Sequence, residues 1–587
     1  MFPLSWGWTT SSVAPQLQLI RSIALLTILS LAAVTTIFLI KKRFKRAPNS
    51  AVNQLPVQVR NPLVRESIQR SPNQPLVQEL PPSVPPAKGL DVYKQESLEY
   101  LAQLEKDLQE QGTARTPISE DILCEYFSHL ATNFTGKRLT VLSFDLGGFG
   151  DFTFGCKVIT MLQKRFWGMD FVLASDNPVR ALKVNGSYNH TLLMPSVPPS
   201  GSLDHPSVLE LIDHYVPHFL LVAPVVHTLR ETFEPLLGKT PHLLLREYGF
   251  MRGFDPPKEG EYVSGAGDPC WKGVIVHQEL IEWAASPESE IPLERLKQLS
   301  HIPPEVTTEI LGGPYSPSQC EEFARKNELF MAYGNELSQA QYILAIVEMH
   351  RRLQTDKNLT FVILGIPLKL LELLQEYSRK FSEAGFGKID WVALNTHPLT
   401  RHKWDVSHGI KQIKFLAVSL LPEDTIRLCK ASEKEIATTG DHSWIEGVSA
   451  HKRWIQQDLI HKRHSLQGVL NLCRDIPAID PAFLAKLKEA HKSTPIFKLS
   501  LPHVEAQADL FTLCRQKPEF ARSWEFLNDA VSYEYSLEPW LRGMIIKRYL
   551  EHSAPEFKLR TAQLLQQREV PSQDLLSYLR HTQSLLA

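Results

Sequence analysis

The chain has 587 residues, so its length predicts about three to four domains, and its hydrophobic content of 43% is enough to bury ordinary cores. The 63 Lys and Arg residues against 64 Asp and Glu residues give a net charge of −1, which excludes a nucleic-acid binder that relies on overall positive charge. The seven cysteines form no C-x-x-C pair, which argues against zinc and dithiol redox sites and predicts reduced, mostly buried thiols.

Residues 1–46 contain the first predicted element, a transmembrane anchor. Ser22–Ile40 carries no charge over 19 residues, and as a helix it would span roughly 28 Å, about the thickness of a bilayer core. Five basic residues follow it, whereas only Arg21 precedes it, so the positive-inside rule predicts a cytoplasmic body. The alternatives are a buried core helix and a lumenal body glycosylated at the sequons Asn133, Asn185, Asn189 and Asn358.

Residues 47–90 are predicted to form a linker. Nine prolines and no aromatic residue lie between positions 47 and 88, so this stretch cannot bury enough apolar surface to fold and should act as a semi-rigid tether. Residues 91–135 follow as a helical lead-in, in which leucines at 98, 101, 104 and 108 have nearly helical spacing. We expect this helix to pack on the body.

The body begins with an α/β unit at 136–310, in which strand Leu139–Phe144 is followed by a glycine turn and a helix from Phe152. Further predicted strands are Phe171–Ala174, Thr191–Met194, Phe219–Val222, His242–Leu245 and Gly273–His277. Helical stretches separate several of them. This alternation predicts a parallel, doubly wound sheet.

A second α/β unit is predicted at 325–480, after a break at Gly312–Pro317. Its predicted strands are Leu329–Tyr333, Thr360–Leu364, Ile389–Ala393, Ile413–Val418 and Glu435–Ala437. Residues 481–587 are predicted to form a helical C-terminal region, because their sequence shows no alternation typical of strands. The predicted fold class is therefore α/β, with two Rossmann-like doubly wound domains, an N-terminal transmembrane helix and a C-terminal helical region.

Two glycine turns carry the chemistry, because ligands of doubly wound sheets bind outside the carboxyl ends of the strands. The first turn contains Gly147, Gly148 and Gly150. It is not a full dinucleotide fingerprint, because in the pattern G-x-G-x-x-G that starts at Gly148 the last position is Thr153 instead of glycine. The second, 438–443, places two threonine hydroxyls and Gly440 directly before a helix. These are parts of a phosphate cradle, although Asp441 or Ser443 as an N-cap would explain the same residues without a ligand.

The order of elements from 413 to 450 resembles the donor half of GT-B glycosyltransferases. The stretch GGFGDFTFGCKVITMLQKRF looks like the first turn and helix of the heptosyltransferase type, and TTGDHSWIEGVSAHK is similar to its donor-phosphate turn and the helix that follows. The resemblance covers about residues 137–475 in architecture and is specific in these two motifs. It departs from the pattern at Trp444, where a small residue is commoner.

The resemblance implies a set of site residues. A nucleotide-sugar would be the donor substrate, and its phosphates would meet Gly334, Asn335, Thr439, Gly440, Asp441, His442 and Ser443. Glu446 would accept hydrogen bonds from the donor ribose, and Asp151 or His227 would be the general base on the acceptor hydroxyl. Asp151 also suits a plain structural role at a helix N-terminus.

The absence of other motifs narrows the reaction class. The chain contains no Asp-x-Asp, His-Glu-x-x-His, Gly-x-Ser-x-Gly or Walker A sequence, so we predict neither a metal nor a cofactor. Cations shortly downstream, from Lys452 to His464, are candidates to stabilise the leaving diphosphate or simply form a solvated basic face.

Three functions stay open at this point. The first is a membrane-anchored, cytosol-facing glycosyltransferase that acts on an acceptor hydroxyl and binds no nucleic acid. The second is a non-catalytic scaffold that keeps the two-domain shell. A nicotinamide-dependent oxidoreductase is the third, and the absent third glycine argues against it.

Overall fold

The computed structural model of the protein describes residues 76–78, 90–110, 115–144, 150–163, 166–186, 188, 190–194, 205–215, 217–225, 230–246, 260–268, 270–365, 369–394, 399–439, 441–457, 463–491 and 499–586. In this part of the chain no helix is long and apolar enough to cross a membrane. The predicted anchor Ser22–Ile40 lies outside the described residues.

The strands, in chain order, are β1 (Leu76–Gln78), β2 (Arg115–Pro117), β3 (Arg138–Ser143), β4 (Asp170–Ser175), β5 (Thr191–Met194), β6 (Phe219–Val222), β7 (His242–Arg246), β8 (Glu261–Val263), β9 (Asn327–Tyr333), β10 (Asn358–Leu364), β11 (Phe386–Ala393), β12 (Thr400–Asp405), β13 (Lys411–Val418), β14 (Glu435–Thr438), β15 (Arg453–Gln456) and β16 (Glu569–Pro571).

The α-helices are α1 (Leu90–Glu110), α2 (Glu120–Ser128), α3 (Gly150–Gln163), α4 (Pro178–Asn185), α5 (His205–Tyr215), α6 (Arg230–Leu237), α7 (Gln278–Ala285), α8 (Pro292–Lys297), α9 (Pro304–Leu311), α10 (Pro317–Lys326), α11 (Glu336–Leu353), α12 (Leu370–Glu376), α13 (Ser378–Glu383), α14 (Pro422–Ala431), α15 (Asp441–Ser449), α16 (Arg463–Asp475), α17 (Pro481–Ala490), α18 (Leu501–Gln516), α19 (Pro518–Asp529), α20 (Leu537–Ser553), α21 (Pro555–Gln566) and α22 (Ser572–Leu586).

The first sheet confirms the predicted doubly wound topology. Its described strands have the order β1-β5-β4-β3-β6-β7-β8, and all neighbours from β5 to β8 are parallel. Counted from β3, this is the strand order 3-2-1-4-5-6 of a Rossmann sheet. β1 is antiparallel and falls within the stretch predicted as a tether, so three residues of that stretch extend the sheet edge instead.

The second sheet is also doubly wound, with the order β12-β11-β13-β10-β9-β14-β15 in the described chain. Only the β11–β12 pair among these is antiparallel. β9 and β14 are neighbours, and from β9 the chain proceeds first to β10 on one side and later to β14 on the other. That is the switch point at which such sheets bind ligands.

One predicted strand is wrong, and several observed strands were not predicted. Gly273–His277 forms isolated bridges rather than a strand, and Glu261–Val263 is the sixth parallel strand of the first sheet. Strands β12 and β15 in the second sheet and the short β16 in the C-terminal region were not predicted either. At the predicted break, Gly312 ends helix α9 with a left-handed φ of 76°, which glycine adopts without strain.

The C-terminal helices connect both halves of the body. Helix α18 packs against α11 of the second sheet, and α20 packs against α2 beside the first sheet. Gln583 of α22 accepts a hydrogen bond from Ser97 of α1 at 2.6 Å, which confirms that the lead-in helix packs on the body.

Candidate functional site

Two of the predicted turns lie side by side at the carboxyl edge of the second sheet. Gly334 and Asn335 follow β9 and lead into α11, whereas Thr439 follows β14 and leads into α15. Ala332 of β9 pairs with Ala437 of β14 in parallel register, so the two turns leave the sheet at the same level. The structure therefore brings together the two segments that the sequence proposed for donor phosphates.

Gln457 joins these turns through one oxygen atom. The Asn335 backbone N–H donates to Gln457 Oε1 at 3.2 Å, and the Thr439 hydroxyl donates to the same oxygen. Gln457 directly follows β15, and its own N–H donates to the Thr438 carbonyl at 2.8 Å. Gln457 is not among the predicted site residues, because β15, whose end marks its position, was not predicted.

The side chains of Asn335 and Ser443 take part in ordinary capping. Asn335 Oδ1 accepts from the N–H and the hydroxyl of Ser338, both at 2.9 Å, and caps α11. The Thr439 N–H donates to Ser443 Oγ at 3.2 Å. The local, ligand-free interpretation thus accounts for these two side chains. The N-termini of α11 and α15 nevertheless follow neighbouring parallel strands at the same edge of the sheet, where helix dipoles favour an anion.

Glu446 of α15 is buried and forms an ion pair. Its Oε1 accepts a hydrogen bond from Lys157 Nζ at 2.8 Å, and the two side chains are 9% and 6% exposed. Lys157 lies on α3, the first helix after the glycine turn of the first sheet. This ion pair therefore connects the site helix of the second sheet to the site helix of the first.

Tyr188 lies close to this ion pair. Its hydroxyl is shielded from solvent and has no hydrogen-bond partner among the described residues. Burial, together with the nearby Glu446 carboxylate, raises the pKa of Tyr188 well above its ordinary value, so the phenol stays neutral. A buried phenol without a partner is a polar group that an incoming hydroxyl or carbonyl can satisfy.

His190 stacks on Tyr188 with 5.9 Å between the ring centroids. Burial lowers the pKa of His190 to about 4, although its contact with the Cys156 carbonyl opposes the shift. The ring nitrogen Nε2 lies 3.0 Å from that carbonyl oxygen and 3.2 Å from Thr160 Oγ1. His190 is therefore a neutral, structurally engaged imidazole near the ion pair.

Several predicted site residues lie outside the described residues. These are Gly147, Gly148, His227 and Gly440, together with the side chains of Asp151, Asp441 and His442. Their backbones are described where they fall in helices: Gly150 and Asp151 begin α3, and Asp441 and His442 begin α15. Their proposed roles stay predictions.

The downstream cations Lys452 and Arg453 are excluded from the site. Lys452 Nζ is buried and donates to the carbonyls of Ser432 and Glu433 at 2.8 and 3.1 Å. Arg453 forms an ion pair with Glu435 at 2.9 Å. Both residues lie at the amino end of β15, away from the carboxyl edge. Within the described residues, no group of three or more His, Cys, Asp or Glu residues is arranged to hold a metal ion.

No family model matches the chain, and a search of curated proteins found no match. Solved structures give weak likenesses in fold. A glycosyltransferase from Rickettsia africae is 12% identical over 71% of this chain and 98% of its own, with a TM-score of 0.38. An α,α-trehalose 6-phosphate synthase from Burkholderia multivorans is 10% identical over 73% and 98%, also with a TM-score of 0.38.

A UDP-GlcNAc 2-epimerase from Neisseria meningitidis, bound to UDP-GlcNAc, is 11% identical over 71% of this chain and 99% of its own, with a TM-score of 0.35. At these identities and TM-scores, the likenesses carry no argument about function. The fold assignment rests on the strand orders of the two sheets.

Proposed function

We propose that the protein is a glycosyltransferase of the GT-B type, which moves a sugar from a nucleotide-sugar donor to an acceptor hydroxyl without a metal ion. The observation that carries the proposal is the junction of the β9 and β14 turns at Gln457, because each of these turns leads into a helix. Backbone N–H groups and aligned helix dipoles stabilise a diphosphate leaving group in such a place.

Each residue has a distinct part in this proposal. Gly334 offers its backbone N–H to the donor phosphates, and the Asn335 N–H and the Thr439 hydroxyl join it when they exchange Gln457 Oε1 for a phosphate oxygen. The 440–443 turn supplies further donors. Glu446 accepts hydrogen bonds from the donor ribose. Asp151 or His227 removes the proton from the acceptor hydroxyl as the glycosidic bond forms.

The Lys157–Glu446 ion pair adds a requirement to this scheme. A ribose that binds Glu446 must either share the carboxylate with Lys157 or displace the ammonium group. A displaced ammonium group on α3 would lie near the nucleotide, where a cation offsets the charge of a diphosphate.

Gln457→Glu tests the donor site on the full chain in detergent. The substitution keeps an oxygen acceptor for Asn335 and Thr439 but adds a negative charge, and two such charges about 4 Å apart repel by about 4 kcal/mol at an effective dielectric constant of 20. At least one of a panel of UDP-, GDP-, ADP- and CMP-sugars should raise the thermal midpoint of the parent protein. The same sugar should lose this effect in Gln457→Glu. The exposed Gln467→Glu change on α16 is the matched control and should retain it.

A non-catalytic scaffold is the second candidate, and the buried Lys157–Glu446 pair favours it because the pair occupies the carboxylate that a donor needs. In that case no nucleotide-sugar raises the midpoint of the parent protein, and Gln457→Glu behaves as Gln467→Glu does.

We further propose that Ser22–Ile40 anchors the protein with its body in the cytoplasm, because the five basic residues follow the segment. Protease added to the cytoplasmic side of sealed membranes should then digest the body. Protection of the body, or a glycan on Asn133 or Asn358, would show the reverse orientation. Asn185 is 3% exposed, so the folded protein cannot carry a glycan there.

A further inference from the structure

Tyr333, the last residue of β9, is an exposed aromatic side chain at the edge of the sheet where the proposed donor site lies, and no role has been assigned to it so far. It directly precedes Gly334 in the β9 turn. The four residues before it in β9 are buried, whereas Tyr333 is 37% exposed. Its ring is therefore accessible to a ligand that enters this edge of the sheet.

The strand register places Tyr333 on the face of the sheet that α15 covers. Met331 of β9 pairs with Ile436 of β14, so these two side chains share a face, and Ile436 lies against Gly447 of α15. Tyr333 is two residues beyond Met331, so its side chain points to that same face. Tyr333 therefore rises beside the helix that carries Glu446.

Two further observations agree with this placement. Phe330, three residues before Tyr333, must point to the opposite face, and it packs edge-on against His350 of α11 with 5.9 Å between the ring centroids. The connections through α11 and α15 run in opposite directions along the sheet, so their right-handed crossovers put the two helices on opposite faces. Burial and the nearby Glu446 carboxylate also raise the pKa of Tyr333.

A second exposed apolar side chain borders the same place. Leu421 is 40% exposed and is the N-cap residue of α14. α14 crosses from β13 to β14 and packs against β9 and α15, so it lies on the same face as Tyr333. The strands that end before Leu421 and at Tyr333 are two positions apart in the sheet, or about 10 Å. A flat ring in van der Waals contact on both of its faces needs about 7 Å.

The position of these two side chains suits one part of a nucleotide-sugar. In the proposed donor site, Glu446 binds the ribose and the β9 and β14 turns bind the diphosphate. The nucleobase is the aromatic part of such a donor and is attached to the ribose. Every base has a π-face that stacks on an aromatic side chain. The ring beside the ribose-binding carboxylate is therefore placed to meet the base.

We propose that Tyr333 and Leu421 hold the nucleobase of the donor between them. The Tyr333 ring stacks on one face of the base, and Leu421 covers the other face. The contact depends on the ring of Tyr333 and not on its hydroxyl group. This inference rests on the proposed donor site, because it takes the positions of the ribose and the phosphates from that proposal.

Isothermal titration calorimetry of the full chain with UDP, GDP, ADP and CMP tests the contact, and the nucleotide that binds most tightly is then titrated into the variants. Tyr333→Leu removes the ring but keeps an apolar side chain, and it should weaken binding by about fivefold or more. Tyr333→Phe keeps the ring and should bind within about twofold of the parent. Tyr315→Leu is the matched control, because Tyr315 is 38% exposed but lies between α9 and α10, and it should also bind within about twofold.

Leu421→Ser removes the second apolar contact and should weaken binding by about threefold or more, so it serves if Tyr333→Leu fails to fold. The proposal is overturned if neither variant binds more weakly than the parent, or if Tyr333→Phe loses as much affinity as Tyr333→Leu. It is also overturned if Tyr333→Leu weakens the binding of a nucleotide-sugar but not of the free nucleotide, because the ring would then contact the transferred sugar. A parent protein that binds none of the four nucleotides would refute the proposed donor site itself, and this inference with it.

Discussion

The ion pair between Lys157 and Glu446 gives the sharpest prediction about the body of the protein. Lys157→Met removes the ammonium group and leaves Glu446 buried without its partner, which should cost about 3–5 kcal/mol of unfolding free energy. Glu446→Gln leaves the buried ammonium group facing a neutral amide and should cost a similar amount. The double variant removes both charges, so its cost should be smaller than the sum of the two single costs by at least about 2 kcal/mol.

Urea titrations of the full chain, followed by tryptophan fluorescence, measure this coupling when the variants share one m-value. The matched control is the pair formed by Arg379 and Glu383 on α13, whose side chains are 89% and 40% exposed. The equivalent cycle of Arg379→Met and Glu383→Gln should give a coupling of only about 0.3–0.5 kcal/mol. The contrast between the cycles isolates the effect of burial.

A coupling below about 0.5 kcal/mol for Lys157 and Glu446 would refute the reasoning, because it would mean that the two helices do not hold these charges together in solution. The affinity for a nucleotide-sugar donor is a second measurement on the same variants. If Glu446 also binds the donor ribose, Glu446→Gln should weaken binding by roughly 1–3 kcal/mol, the range for a lost hydrogen bond to a charged group. Unchanged affinity in a protein shown to bind donor would remove Glu446 from the proposed site.

Three further predictions concern the buried charges and the thiols. Burial opposes the ionisation of Glu435, but Arg515 and Arg453 overcome this effect and hold the pKa of Glu435 well below its ordinary value. The ionised carboxylate therefore stabilises the fold at neutral pH, and this stabilisation is lost as the pH falls below about 4. In urea titrations, Arg515→Met should lower the unfolding free energy at pH 7 and reduce its loss in acid. Burial lowers the pKa of Lys452 to about 8, so between pH 8 and its ordinary pKa of 10.5 the unfolded chain binds more protons than the folded protein. The unfolding free energy should therefore rise with pH across this window in the parent protein but not in Lys452→Met. Cys270 is exposed and the other six cysteines are buried, so Ellman's reagent should modify one thiol in the native protein and seven in denaturant.

The sequence was informative wherever a short local pattern determines structure. Strands β5 and β6 have the predicted ends, because short, mainly apolar runs that are soon followed by a proline suit buried strands. β12 was missed because it is an exposed edge strand, Thr400–Asp405, without apolar alternation. β15 was missed because four residues, Arg453–Gln456, are too few for a clear period, although three of them are buried.

The contacts of the site follow a different rule, because they join residues that are far apart in the chain. Gly334, Asn335 and Thr439 could be placed at one sheet edge from strand order alone, since parallel neighbouring strands end together. The partner of Glu446 could not be found in this way. Lys452 and Arg453 are close to Glu446 in sequence but lie at the opposite edge of the sheet, whereas the actual partner Lys157 is 289 residues away in sequence. Local patterns therefore locate the turns of such a site, whereas the charges that meet across it depend on how the two sheets pack. For this protein, that packing decides whether Glu446 is free to bind a nucleotide. The double-variant cycle of Lys157 and Glu446 therefore tests the contact between the two sheets that could not be predicted from the sequence.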